Sequence, residues 1–161
     1  METSQYQSSD VSVLYDRYAA MLFRLSYSAL QSQTDAEDAV AEVFVKYISN
    51  PPSFHDAEHE RAWFVRVCVN QCHDLQRRKK IRLYTPLEDL SETLAQKETE
   101  AGILEDVLKL PEKYKTVILL HYFEDFSVDA IAQSLGIGKS AVKMRLARGR
   151  DLLKTQIERN L

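Results

Sequence analysis

Two segments of this chain concentrate side chains that bind phosphate. Residues 61–83 contain seven lysines and arginines and one aspartate, which gives a net charge of +6. Residues 139–154 contain six lysines and arginines and one aspartate, which gives a net charge of +5. Because the whole chain carries −3, the remaining residues carry −14. Lysine and arginine at this density neutralise the phosphates of nucleic acids. The acidic remainder predicts surfaces that either face a protein partner or discourage indiscriminate binding to DNA.

The second basic segment lies within a pattern typical of two helices joined by a tight turn, Phe126 to Leu153. Ser127 can cap the first helix, and Asp129 lies in its first turn, where the helix dipole favours an anion. Gly136 can adopt the left-handed conformation that ends a helix, and the next helix should begin at about Lys139. At about 100° per residue, this second helix has an apolar face of Val142, Leu146, Gly149 and Leu153 and a cationic stripe of Lys139, Lys143, Arg150 and Lys154, with Ser140, Met144, Arg145 and Arg148 on the remaining arc.

A helix with one buried face and a cationic outer arc fits a helix-turn-helix whose second helix enters the major groove of DNA. Its first residues would face base edges, and its arginines would face phosphates. The alternative is a surface helix of a bundle whose lysines are only solvated. The turn pattern and the basic arc coincide, which favours the DNA-binding interpretation.

The first basic segment, Arg61–Lys80, also projects as a helix with two faces. Its apolar face includes both cysteines, which therefore resemble small core residues, with a redox or metal role as a minor alternative. The polar face, close to Trp63, suits phosphate binding and stacking on unpaired bases, although simple solvation also explains it. The apolar face holds Phe64, Cys68, Cys72 and Leu75, and the polar face holds Arg66, Asn70, His73, Arg77 and Lys80.

An acidic helix is predicted from Asp35 to Ile48, after a capping box of Thr34 and Glu37. Acids at a helix start complement the dipole, so they need no function. An acidic face with an aromatic residue beside it could equally be a docking surface for another protein, and periodicity does not decide between the two. The inner stripe is Ala36, Val40, Val43 and Tyr47, and the outward face is Asp35, Asp38 and Glu42, with Phe44 near it.

Catalytic and metal chemistry have little support in the sequence. His55 and His59 lie four residues apart with Asp56 between them, but no third strong ligand follows at a useful spacing. A Ser/His/Asp set and a phosphate-cradling glycine loop are both missing from the sequence. We therefore expect no enzyme activity, no cofactor and no metal. The two cysteines give no disulfide framework, which suits a reducing compartment.

Composition predicts an all-α fold, because only four glycines and four prolines interrupt the chain and little of it alternates as a strand would. The acidic, polar stretch 84–102 separates two small helical domains, 1–83 and 103–161, and is interpreted as a flexible linker. No apolar run reaches the length of a membrane span, and the amino terminus lacks a signal pattern. We expect a cytoplasmic protein without membrane insertion.

Three segments together resemble the extracytoplasmic-function (ECF) group of bacterial sigma factors. The family's core-binding helix is matched by DAEDAVAEVFVKY, its promoter-melting and minus-10 segment by RAWFVRVCVNQCHDLQRRKK, and its minus-35-reading domain by LPEKYKTVILLHYFEDFSVDAIAQSLGIGKSAVKMRLARGRDLL. The helix-turn-helix alone would be shared with many repressors and activators. The three segments in this order are much more specific.

The resemblance implies an all-α protein of two small domains, similar to sigma regions 2 and 4, that binds core RNA polymerase and directs it to promoters. It also implies an anti-sigma factor as a partner. The residues facing the polymerase clamp would be Asp35, Asp38, Glu42 and Phe44. Those near minus-10 DNA would be the loop Asn50 to Glu60 with Arg66, Asn70, His73, Asp74, Arg77, Arg78 and Lys80. Those at the minus-35 element would be Lys139, Ser140, Lys143, Met144 and Arg145, with Arg148 on phosphate.

Three positions depart from the family pattern. Ala41 stands where a glutamine is common, and Gly138 replaces the usual Ser or Thr cap of the recognition helix, which should cost only about a few tenths of a kcal/mol. Lys139 stands where the family often has an acidic residue, so the DNA bases that the recognition helix prefers stay open. The competing hypothesis is a dimeric helix-turn-helix regulator that binds a palindrome. It explains residues 110–161 but neither the polar face of Arg61–Lys80 nor the acidic helix.

Overall fold

The computed structural model of the chain describes residues 10–78 and 101–159, and every regular element within them is helical. The all-α prediction is therefore confirmed for these residues. Most of the predicted linker, residues 84–100, lies outside them, and Ala101 and Gly102 already belong to a helix. The helices are α1 (Val11–Leu30), α2 (Gln33–Ser49), α3 (Ala57–Arg78), α4 (Ala101–Leu108), α5 (Glu112–Ile118), α6 (Val128–Leu135) and α7 (Lys139–Arg159).

The N-terminal half, α1–α3, packs around an aromatic cluster. Phe64 of α3 is fully buried at its centre. Its ring stacks on Tyr18 of α1 at 4.8 Å between centroids and lies 5.4 Å from Phe44 and 5.6 Å from Tyr47 of α2. Aromatic rings bury large apolar areas and add a geometric preference of about 0.5–1.5 kcal/mol per pair. This cluster fixes α3, and with it the polar stripe on the far side of that helix.

The start of α2 differs from the prediction. Ser32, with extended backbone, is the capping residue, and its Oγ accepts a hydrogen bond from the Asp35 N–H at 3.2 Å. Thr34 lies inside the first turn, so the capping box predicted for Thr34 and Glu37 is wrong. Serine and threonine are both favoured at the N-cap, and here the extended backbone at Ser32 makes serine the capping residue.

The start of α3 also differs, because the helix begins at Ala57 and the predicted loop to Glu60 is too long. Asp56 acts as the cap, since its Oδ1 accepts from the His59 N–H at 2.7 Å. Glu60 thus lies within α3 and is fully buried, where its Oε1 accepts hydrogen bonds from the Tyr18 hydroxyl and from Arg17, each at 2.7 Å. Burial, reinforced by this carboxylate, raises the pKa of the Tyr18 phenol. Extending the apolar stripe of Phe64 back by four residues would have identified Glu60 as a residue on the buried face.

The C-terminal half, α4–α7, carries the helix-turn-helix. Leu146 and Val142 of α7 are buried as predicted. At Gly149 the helices come so close that an added Cβ would lie 3.0 Å from Ile118 Cγ1 of α5. A π-helical turn, Leu119–Phe123, extends α5. Buried apolar residues of both halves form one continuous cluster, and α3 packs directly on α6.

Candidate nucleic-acid interface

The helix-turn-helix has the local geometry predicted for it. The Ser127 hydroxyl accepts a hydrogen bond from the Ala130 N–H at 3.1 Å and caps α6. Gly136 ends α6 at φ +68°, and its N–H donates to the Ala132 carbonyl at 2.9 Å. Because glycine adopts this left-handed conformation without strain, the chain reverses tightly and α7 begins at Lys139.

The first turns of α7 present four of the six predicted minus-35 residues to solvent. Met144 is 54% exposed. Lys139 forms an ion pair with Asp129 of α6, with Nζ 3.1 Å from Oδ1. The pair ties the start of α7 to the helix before it. The four exposed residues are Lys139, Ser140, Lys143 and Met144.

Arg145 and Arg148 lie in two different environments. Arg145 is half-buried and lines a cavity of about 440 Å³ between the two halves, shared with Arg66 and Asn70 of α3. Arg148 is exposed, and its guanidinium beside the Tyr114 hydroxyl lowers the pKa of that phenol. Of the two arginines, only Arg145 lines this cavity.

The polar stripe of α3 is largely exposed, as predicted. Arg66, Asn70, His73, Arg77 and Arg78 are exposed, and Asp74 is half-exposed and pairs with Arg77. Lys80 lies outside the described residues. On the opposite face Cys68 and Cys72 are buried, which confirms them as core residues. The hydrogen bond with the neighbouring Cys72 thiol, together with burial, raises the pKa of Cys68.

Trp63 and the loop before α3 form a small aromatic group. The Trp63 ring is half-buried and lies 6.0 Å from both Tyr47 and Phe54 in edge-to-face contacts. The rings of His55 and His59 stack at 5.0 Å, and His59 Nδ1 accepts from the His55 N–H at 3.0 Å. Residues 10–78 and 101–159 contain no cluster of three potential metal ligands.

The acidic helix α2 has a smaller acidic face than predicted. Asp38 is exposed and Glu42 is half-exposed, but Asp35 is only 3% exposed and Phe44 only 6%. The outward orientation expected for Asp35 and Phe44 is therefore wrong. Asp35 lies in the first turn of α2, beside the Ser32 cap. We attribute its burial to the chain segment that connects α1 to α2. Phe44 belongs to the aromatic stripe around Phe64.

Sequence reasoning missed two apolar residues on the same face of α2. Val45 is 51% and Ile48 is 60% exposed, and both lie outside the stripe that packs on α1 and α3. The available signal was an apolar residue outside the core stripe; single exposed apolar residues are common, whereas contiguous apolar patches occur at interaction surfaces.

Arg66 has a contact that the helical projection does not reveal. Its Nη2 donates to the Gln133 carbonyl at 2.7 Å, and its Nε donates to the Ser134 carbonyl at 3.4 Å. The first residue of the predicted minus-10 stripe is thus bound to the end of α6 in the helix-turn-helix.

None of the helices in the described ranges combines the length and the apolar character needed to cross a bilayer. Two protein families match the chain in order. Residues 14–81 match the family described as Sigma-70 region 2, and residues 103–153 match the family described as Sigma-70, region 4. The first match covers most of α1 and all of α2 and α3, and the second covers most of α4 and α7 and all of α5 and α6.

Curated relatives and solved structures agree with these matches. RNA polymerase sigma factor SigV of Bacillus subtilis is 33% identical over 138 residues, covering 84% of this chain and 83% of the relative. ECF RNA polymerase sigma factor SigL of Mycobacterium tuberculosis is 31% identical over 142 residues, covering 83% of this chain and 80% of the relative.

The fold is shared with CnrH, which was solved in complex with the cytosolic domain of CnrY. The TM-score is 0.71 at 23% sequence identity, and the match covers 94% of this chain and 89% of the CnrH chain. It is also shared with sigma factor RpoE of Bartonella quintana, which was solved with the anti-sigma factor NepR. The TM-score is 0.73 at 17% sequence identity, and the match covers 91% of this chain and 96% of the RpoE chain. The sequence matches span both halves of the chain. The protein therefore belongs to the ECF group of sigma-70 family sigma factors, a non-enzymatic family that directs transcription initiation by RNA polymerase.

Proposed function

We propose that the first turns of α7 read the minus-35 element of the promoter. The observation that carries this assignment is the exposed set Lys139, Ser140, Lys143 and Met144 directly after the helix-turn-helix turn. In a helix-turn-helix the N-terminal residues of the second helix contact base edges. Arg148, one turn beyond Met144 and exposed, is placed for a phosphate, which positions the helix without reading sequence.

The minus-10 element is assigned to α3 and the loop before it. Asn70, His73, Arg77 and Arg78 present an amide, an imidazole and two guanidinium groups on one exposed face, which suits phosphate and base contacts to opened DNA. Trp63 offers a partly exposed ring next to the loop that runs from Asn50 to Asp56. The region 2-like domain would span residues 1–83, the linker 84–100 and the region 4-like domain 101–161, because Ala101 and Gly102 belong to α4.

Core polymerase is assigned to the exposed face of α2. Asp38 and Glu42 supply charge, and Val45 and Ile48 supply apolar area beside them, a mixture typical of a protein interface. Asp35 and Phe44 support that face from within the fold. We extend an anti-sigma partner to this chain from the solved complexes of CnrH and RpoE. We place the protein in the cytoplasm, where polymerase and promoter DNA are found.

Substitutions in α7 separate base reading from phosphate anchoring. Lys143→Ala should change which minus-35 sequences support transcription by reconstituted polymerase, because one base contact contributes about 1–3 kcal/mol of discrimination. Arg148→Ala should lower transcription about equally on all sequences and reduce its dependence on salt. The measurement is transcription from a promoter library with randomised minus-35 positions.

Lys154→Ala is the matched control, since Lys154 is an exposed cation of the same helix far from its N-terminus. It should leave the sequence preference unchanged. If Arg148→Ala altered the preference and Lys143→Ala lowered every promoter equally, α7 would enter the groove at a different rotation and the assignment would fail.

A further inference from the structure

The cavity of about 440 Å³ that Arg145 lines is formed by four helices. Side chains of α3, α5, α6 and α7 line it, together with Ile137 of the turn between α6 and α7. Small-molecule pockets typically have volumes of about 300–1,000 Å³ and combine apolar walls with a few polar groups. The cavity therefore has the size and the mixed lining of a small-molecule site.

Arg145 is a half-buried cation of this cavity that the protein itself does not pair. Within residues 10–78 and 101–159 it has no hydrogen bond and no ion pair. A guanidinium carries five N–H donors, and burial of such donors costs free energy unless an acceptor replaces the lost water. An anionic ligand in the cavity would supply that acceptor.

Two more polar side chains of the cavity wall are unpaired in the described part of the chain. Ser134 of α6 is 1% exposed, and its buried hydroxyl has no hydrogen-bond partner. Asn70 of α3 is exposed and has no hydrogen bond to any described residue. Most buried polar side-chain atoms in proteins are paired. Three unpaired polar groups from three helices at one cavity therefore indicate a site for a bound molecule.

The charge of the lining favours an anion. Arg66, Lys113 and Arg145 are cationic, and Glu112 is the one carboxylate among the described lining residues, so three positive charges and one negative charge give +2. The Glu112 carboxylate is already engaged, because its Oε1 accepts a hydrogen bond from Gln76 Nε2 at 3.1 Å. Guanidinium and ammonium groups are the side chains that bind phosphate oxygens.

Arg66 keeps donors for such an anion although it already contacts α6. Its Nε donates to the Ser134 carbonyl at 3.4 Å, and its Nη2 donates to the Gln133 carbonyl at 2.7 Å. These bonds use two of its five N–H donors. They also hold the guanidinium in place, so that binding a ligand costs little side-chain entropy at this position.

An apolar part of the lining indicates the rest of the ligand. Val69, Leu135 and Ile137 are half-buried and line the same cavity, and flat apolar rings suit such walls. An asparagine amide can form two hydrogen bonds with the edge of a purine base, and Asn70 offers a free amide beside Val69. A molecule that joins a phosphate to a flat base matches the cations, the amide and the apolar walls together.

We propose that this cavity binds a nucleoside phosphate, with the phosphate on Arg145, Lys113 and Arg66 and the base between Asn70 and the apolar side chains. The site goes beyond the proposed function, because its ligand is a small molecule and neither promoter DNA nor polymerase is needed for binding.

Isothermal titration calorimetry on the full-length protein, without polymerase or DNA, tests the site. The probes are AMP, ADP and GMP, and each half of the ligand is tested separately with adenosine and with inorganic phosphate. At least one nucleotide should bind one site per chain with a Kd of about 100 µM or lower. Adenosine and inorganic phosphate should each bind at least about tenfold more weakly.

Substitutions locate the binding. Arg145→Ala should weaken nucleotide binding by about tenfold or more, whereas Asn70→Ala should reduce the preference for a nucleotide over inorganic phosphate. Lys154→Ala is the matched control, because it removes an exposed cation of α7 that does not line the cavity, and it should keep the wild-type affinity. Arg145 has no partner among the described residues, so Arg145→Ala should leave the midpoint of urea unfolding unchanged.

Three results would overturn the proposal. They are no binding of any of the three nucleotides, equal affinity for inorganic phosphate and nucleotides, and nucleotide binding that Arg145→Ala leaves intact. Equal affinity for inorganic phosphate is the result expected if these cations contact only the backbone of DNA. The titration and the promoter library measure different reactions, so the nucleotide site and the proposed function can fail independently.

Discussion

Lys115 is a charged side chain buried between the two halves, with 6% of its surface exposed. Burial lowers the pKa of its ammonium group below the ordinary value of 10.5, with Glu112 acting in the opposite direction. In the interval between the lowered folded-state pKa and 10.5, the unfolded chain binds more protons than the folded chain. Stability must therefore rise with pH across that interval.

Lys115→Met should remove the pH dependence of folding stability that this ammonium group causes. Urea unfolding of the wild type at a series of pH values up to 10.5 should show the free energy of unfolding rising as the buried ammonium group loses its proton, and the variant should show a flatter dependence. Lys113→Met is the matched control, because Lys113 is exposed on the same helix and should keep the wild-type slope. Equal slopes for all three proteins would mean that the Lys115 ammonium is not desolvated.

At the scale of a helix, α2 presents acids and apolar residues on one exposed face and packs its other face on α1 and α3. Interface energy is usually concentrated in few residues near the centre of such a face. The structure reduces the acidic part of this face to Asp38 and Glu42, since Asp35 is buried. Reversal of Asp35 would therefore test folding and not docking.

Asp38→Lys combined with Glu42→Lys should weaken binding to core polymerase by about tenfold or more, equivalent to about 1.4 kcal/mol, with unchanged helical content. Asp16→Lys combined with Glu58→Lys also reverses two exposed carboxylates, on α1 and α3 instead of α2, and should bind nearly as the wild type does. A titration in which all variants bind equally would remove α2 from the polymerase interface.

Elements with strong local signals were predictable from the sequence. Ser127, Gly136 and the start of α7 at Lys139 follow from capping and turn chemistry within a few residues, and these local rules were sufficient. Asp35 shows where such rules stop. Its exposure depends on the connection before α2 and on how α2 packs, which a helical projection of one segment does not contain.

For the whole molecule, the arrangement of the halves was beyond sequence reasoning. Arg66 had every property of a DNA contact, and its hydrogen bond to Gln133 joins residues 67 positions apart. Contacts of that separation depend on the relative placement of two domains, and no motif or periodicity encodes it. Family membership, in contrast, was predictable, because it rests on three local segments read in order.

Promoter selection by reconstituted polymerase tests directly whether the protein guides transcription initiation. Core RNA polymerase, with or without the protein, would transcribe a library of random DNA, and the sequences upstream of each transcript start would be determined. We expect starts that require the protein and that lie downstream of two unlike elements roughly 25 base pairs apart, about 85 Å along B-DNA. Enrichment of a single palindrome bound without polymerase, as a dimeric helix-turn-helix regulator would give, would contradict it.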